Sequence, residues 1–106
     1  MSIKVIIERV CKPGMGAKLP ELLRELRSEA LRQKGYVFGE TLQSLDNQDT
    51  FLVVSTWSDV AAWQKWSRDP YRHKMETAIE PFLLETPKVK LYSEYFDSAS
   101  AIERKR

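Results

Sequence analysis

The stretch YVFGETLQSLDNQDTFLVVST, Tyr36 to Thr56, decides the fold. Its two ends, Tyr36–Leu45 and Thr50–Thr56, are rich in aromatic and β-branched residues, which fit a pleated surface. Between them Asp46, Asn47, Gln48 and Asp49 include residue types that favour a reversal. An antiparallel hairpin is therefore expected.

Upstream of the hairpin, IKVIIERV (residues 3 to 10) reads as a strand. Ile3, Val5, Ile7 and Arg9 share one face, and Lys4, Ile6, Glu8 and Val10 share the other. Pro13 and Gly14 break that run. Leu19, Leu22, Leu23, Leu26 and Ala30 then recur at helical spacing, which predicts an amphipathic helix ended by Gly35. Pro20 suits its first turn, where a missing N–H matters little. Downstream, Ser58 is the expected cap of a short helix carrying Val60 and Trp63. Asp69 and Pro70 start another, with Tyr71, Met75, Ala78, Ile79 and Phe82 as its apolar stripe. After Pro87 a last strand is expected from Lys88 to Phe96.

The order β, α, β, β, α(α), β predicts an α+β fold: a ferredoxin-like, four-stranded antiparallel sheet with helices on one face. Both faces of the first strand carry apolar residues, so helices on one side would leave an apolar patch in water. A second copy of the chain covering that face is the simplest remedy, and a homodimer is expected. Residues 1–96 form the expected domain, and 97–106, small and charged, an expected loosely ordered tail.

Composition narrows the function classes. The 106 residues suit one domain, and 42% hydrophobic with 30% charged residues is an ordinary globular balance. The net charge of +2, from 17 basic and 15 acidic residues spread along the chain, supplies no basic stripe for a nucleic acid. Cys11 is the single cysteine, so a disulfide within the chain and a cysteine-based zinc site are both excluded. A lone thiol suits a reducing cytoplasm. Charges at Lys4, Glu8 and Arg9 interrupt the apolar start, unlike a signal peptide or a membrane span. No glycine-rich phosphate loop, dinucleotide fingerprint or nucleophile elbow occurs.

Three segments, GYVFGETL (35–42), FLVVSTWSD (51–59) and WQKWSRDPYR (63–72), resemble the antibiotic biosynthesis monooxygenase family. The resemblance spans about residues 3 to 95 and implies a dimeric α+β barrel. It also implies a scaffold shared by several chemistries: cofactor-independent oxygenases of aromatic polyketides, quinol oxygenases and haem-degrading oxygenases. The haem-degrading pattern, an asparagine, a tryptophan and a histidine, falls here on Glu8, Trp66 and Glu76, so only the tryptophan matches. The axial imidazole is missing. His73 lies about 200° around its helix from Tyr71 and from Met75, away from the apolar stripe.

Candidate site residues follow. Trp57 and Trp63 are expected mainly to pack. Trp66, about 90° off the line of Val60 and Trp63, is expected either to pack or to wall a cleft between helix and sheet. Glu8, placed on the helix-covered face, is either a general base with a raised pKa or half of an ion pair with Lys90 or a neighbour's Arg9. Tyr71 is expected to offer a hydroxyl or simply to pack, Arg72 to hold an anion, and Met75 to line the ligand. Glu40 is a candidate for an ion pair between subunits. The functional expectation is a cofactor-independent monooxygenase of an electron-rich aromatic, a phenol or quinol. The alternatives are a non-enzymatic or stress-related protein holding a small apolar ligand, and, last, a haem-binding protein.

Overall fold

The computed structural model describes residues 2–95. Its elements are β1 (Ile3–Val10), α1 (Leu19–Ala30), β2 (Tyr36–Gln43), β3 (Thr50–Trp57), α2 (Val60–Ser67), α3 (Pro70–Ile79) and β4 (Lys88–Ser93). Short 3-10 turns occupy Gly16–Lys18 and Glu80–Phe82. The strands form one antiparallel sheet in the order β2-β3-β1-β4, the expected ferredoxin-like arrangement.

The register sorts the two faces. Ile3, Val5, Ile7 and Arg9 lie opposite Trp57, Ser55, Val53 and Phe51. These β1 residues are all buried, and they meet the core side chains Leu19, Leu23, Leu26 and Ala30 of α1, Trp63 and Trp66 of α2, and Met75 and Ile79 of α3. On the other face Lys4, Ile6, Glu8 and Val10 lie opposite Thr56, Val54, Leu52 and Thr50. Among the described residues no helix covers that face, and Phe38, Leu42 and Tyr92 are exposed there at 57%, 44% and 50%. Apolar side chains thus stand in water on the side a second copy was expected to cover.

Several local expectations are corrected. The β2–β3 hairpin runs Tyr36–Gln43 and Thr50–Trp57. Ser44 Oγ accepts from the amides of Asp46 and Asn47, and Asn47 Oδ1 accepts from the Asp49 amide. These three bonds draw the chain into the turn before Leu45 can extend the strand. α1 ends at Ala30, five residues short of Gly35, which opens β2 at a φ of 92°. A Cβ at Gly35 would lie 2.5 Å from the Ala62 methyl, so glycine permits both the backbone angle and the close seat of α2.

The α2 cap is Asp59, not Ser58: its Oδ1 accepts from the Ala62 amide at 2.8 Å, while the Ser58 amide is drawn back to the Gly35 carbonyl. Val60, expected on the buried side, is 43% exposed because the first turn of α2 stands clear of the sheet. Ala78, expected in the α3 stripe, is also exposed. β4 ends at Ser93, and the expected tail lies outside the described residues. Among the described residues, no helix is long and apolar enough to cross a membrane.

Candidate functional site

A cleft opens between the helix-covered face of the sheet and helices α1 and α2. Its aromatic wall comes from three elements, β2, β3 and α2. Trp57 closes β3 and Tyr36 opens β2 beside it; their rings meet edge to face at 5.2 Å. Trp63, on α2, meets Trp57 at 5.8 Å, and Trp66 lies one helical turn further along. All four line the cleft. Tyr36 fits because of Gly39: a Cβ there would overlap the Tyr36 hydroxyl, so glycine lets the phenol lie across the strand. Trp57 turns its indole N–H to Ser55 Oγ at 3.0 Å, which satisfies the donor inside the core.

Opposite polarity enters through three arginines that also line the cleft, Arg9, Arg27 and Arg72. Arg9 sits at the end of the buried row on β1 and is 1% exposed. Its Nη2 donates to Glu76 Oε1 of α3 at 2.6 Å, and its Nε has no hydrogen-bond partner among the described residues. Arg72, one turn before Glu76 on α3, stands 3.8 Å from the other carboxylate oxygen. Its guanidinium also lies 5.2 Å from the centre of the Trp63 ring, within cation–π range. Burial pushes the Arg72 pKa down; Glu76 raises it and Arg9 lowers it further. An arginine so placed still carries its charge at neutral pH. Arg27 reaches from α1 to β2 and donates to the Gly39 carbonyl from an exposed position.

The free space in this cleft is about 50 Å³. That accommodates roughly three to five water molecules, and is smaller than the ~150 Å³ known to hold a benzene ring. A ring therefore enters only if side chains at the rim give way. Arg27, exposed and tied by a single hydrogen bond, is the most readily displaced of the lining groups.

The sequence-predicted residues divide sharply. Trp66 and Arg72 line the cleft; Trp57 and Trp63, expected to pack, do both. Glu8 is corrected: strand alternation puts it on the uncovered face, 4.0 Å from Lys88. The helix-covered row is the one containing Arg9, so Glu8 meets no apolar cleft, and among the described residues its ion-pair partner is Lys88, not the expected Lys90. Met75 is buried in the core and Tyr71 packs against it, and neither lines the cleft. They share the α3 stripe, but the stripe faces the core beside the cleft, not the cleft itself. His73 is exposed. Cys11 is buried at the end of β1, its thiol pKa raised by burial and then by Asp49, with Arg9 opposing.

Arg9, Glu76, Arg27 and Tyr36 join the site without a sequence motif to mark them. One signal was available for Arg9: a charge fourth in a row after Ile3, Val5 and Ile7 must be buried, and a buried guanidinium needs a partner. Glu76 stands where the haem-degrading pattern has its histidine. Here its carboxylate is already engaged by Arg9 and flanked by Arg72, so the residues do not fit haem ligation at that position.

Comparison with known proteins now decides the family. A profile described as Antibiotic biosynthesis monooxygenase matches residues 2–78. The chain belongs to that family. Among solved structures it is similar to a conserved protein from Methanosarcina mazei (TM-score 0.83, 18% identity, 90% of this chain and 94% of that one). It is also similar to SnoaB, a cofactor-independent oxygenase from Streptomyces nogalater (TM-score 0.80, 16% identity, 92% and 96%). A third is a protein of Nitrosomonas europaea described as an antibiotic biosynthesis monooxygenase (TM-score 0.82, 15% identity, 90% and 91%). At such identities the likeness is one of fold. No curated protein sequence matches the chain.

Proposed function

We propose that this member of the antibiotic biosynthesis monooxygenase family is a small cofactor-independent monooxygenase of a phenol or quinol. The observation that carries the reading is a buried cleft walled by Tyr36, Trp57, Trp63 and Trp66 with the guanidiniums of Arg9 and Arg72 in the same wall. Guanidiniums in low dielectric favour the ionised phenol, and a phenolate is a far better electron donor than the neutral ring. The reaction balances without an added reductant: a phenol and dioxygen give a quinone and water. One oxygen atom bonds to a ring carbon, the other leaves as water with two hydrogens, and the substrate supplies all the electrons. Trp66 stacks the ring, Arg72 holds its oxyanion, and the apolar wall limits the water that reaches the intermediate. SnoaB, of the same fold, is described as a cofactor-independent oxygenase.

The apolar uncovered face supports a homodimer, and the single free thiol suits a reducing cytoplasm. A second reading, a non-enzymatic carrier or stress-related protein, draws support from the small free volume of the cleft. The deciding experiment follows oxygen uptake, and ¹⁸O incorporation from ¹⁸O₂, across a panel of single-ring phenols and hydroquinones. The monooxygenase reading expects one label in the product and a loss of at least tenfold in rate for Arg72→Met. Binding of panel members without oxygen uptake by any of them favours the carrier.

A further inference from the structure

From the arginine cluster we infer that the cleft contains a dedicated oxyanion subsite, and that its ligand is a single-ring aromatic carrying a carboxylate or ring-oxyanion group. The inference rests on the cleft being the ligand site proposed above, and it narrows the ligand class.

The first ground is charge. Two guanidiniums, Arg9 and Arg72, share one carboxylate, that of Glu76, and no other acid pairs with either among the described residues. Glu40 contributes only its strand to the cleft: Gly39 and Thr41 take the helix side of β2, which turns the Glu40 side chain to the uncovered face. The cluster therefore holds a net charge of about +1 on largely buried side chains, an arrangement that an anion relieves.

The second ground is unspent donors. Arg9 Nε is buried and has no hydrogen-bond partner among the described residues, and a buried polar atom without a partner is destabilising unless a ligand or water meets it. Arg72 makes no hydrogen bond to the described residues: its Glu76 contact at 3.8 Å is electrostatic, and its other neighbour is the Trp63 ring. Donors from both side chains thus remain for a planar, two-oxygen acceptor, the group that a guanidinium fork matches.

The third ground is shape. The aromatic rings of Trp63 and Trp66 line the same cavity as these donors, so a ring can stack while its anionic edge meets the arginines. With about 50 Å³ free, opening the rim at Arg27 admits one ring, whereas a fused polycycle would require the core itself to separate.

The test compares benzoate with benzamide, its neutral isostere, with pentafluorophenolate as the ring-oxyanion arm. Binding is followed at neutral pH by tryptophan fluorescence and ligand-detected NMR. Both anions are expected to bind about ten- to a hundredfold more tightly than benzamide, the range for hydrogen bonds to charged groups. Arg72→Met should reduce that ratio to about threefold or less. Arg9→Met alone leaves Glu76 to neutralise Arg72, so the double variant Arg9→Met, Glu76→Met is measured as well: it keeps the positive charge of Arg72 but removes the buried Nε donor, and should lower the preference about threefold. Equal affinity for benzoate and benzamide, no binding of either anion, or a preference that survives both variants overturns the subsite. If only one anion binds, that arm identifies the source of the oxyanion. Oxygen uptake without anion preference refutes the subsite and leaves the monooxygenase reading standing. Anion preference without oxygen uptake on any phenol does the reverse.

Discussion

Removing Glu76 should harm the fold more than removing the arginine it holds. In the native protein Arg9 Nη2 meets Glu76 Oε1 at 2.6 Å, with side-chain exposures of 1% and 23%. Deleting one partner of a fully buried ion pair costs about 3–5 kcal/mol, because the charge left behind is uncompensated. Glu76 is partly solvated, which reduces the figure, so Glu76→Met should lose about 2–3 kcal/mol. Arg9→Met leaves a carboxylate that can turn to water and should lose only about 1–2 kcal/mol. The double variant replaces the pair by packed thioethers and should lie within about 1 kcal/mol of the wild type. Urea unfolding followed by tryptophan fluorescence, at fixed protein concentration because association shifts apparent stability, gives all four values. The Glu76→Met midpoint should fall by about 1–2 M urea. If Glu76→Met stays within about 0.5 kcal/mol of the wild type, or if the single losses simply add in the double variant, the two charges are not coupled and the reasoning fails.

Three further outcomes follow from local geometry. Gly35→Ala puts a methyl 2.5 Å from the Ala62 Cβ at a φ of 92°, and thermal unfolding should show a loss of about 2–4 kcal/mol. Asp59→Ala removes the 2.8 Å cap on the Ala62 amide and should lower stability by about 1 kcal/mol in the same assay, with Asp59→Asn recovering most of it. Burial first, and Asp49 second, raise the Cys11 thiol pKa, so the fold favours the neutral thiol. Its contribution is present in full below the ordinary thiol pKa and is lost as pH rises through the raised folded value. Alkaline titration of stability should therefore be flatter in Cys11→Ala, and Ellman's reagent should react slowly with the native protein and quickly in urea.

The topology was legible because it rests on periodicity, which burial then enforces. The β1 row Ile3, Val5, Ile7, Arg9 and the α1 row Leu19, Leu23, Leu26, Ala30 are written directly into the spacing of the residues. Element ends were less legible. The Asp59 cap and the early end of α1 turn on which hydrogen-bond partner lies nearer in space, and Ser58 and Gly35 carry the expected residue types at the wrong positions. The site was only half visible. Trp66 and Arg72 come from a helix pair whose phase the sequence reveals, but the Arg9–Glu76 pair joins residues 67 apart and depends on how α3 packs against β1. Glu8 shows the hazard of alternation: one choice of face decides whether a carboxylate sits in a cleft or beside Lys88 in water.

The same alternation gives Arg9 its significance. Its place on β1 follows three aliphatic residues, and a leucine or methionine there would complete an apolar row without desolvating a charge. Buried ion pairs are commonly no more stable than hydrophobic replacements of similar volume, so packing alone gives no reason for a guanidinium at this position. Nor does the pair satisfy it, since Nε has no partner among the described residues and Arg72 competes for the same carboxylate. A residue that burdens the fold and leaves a donor unused in the wall of a cleft is better accounted for by what enters the cleft. Glu76 then has a definite role: it holds Arg9 and sits beside Arg72 while neutralising only one of the two charges, so the site stays positive before a ligand arrives.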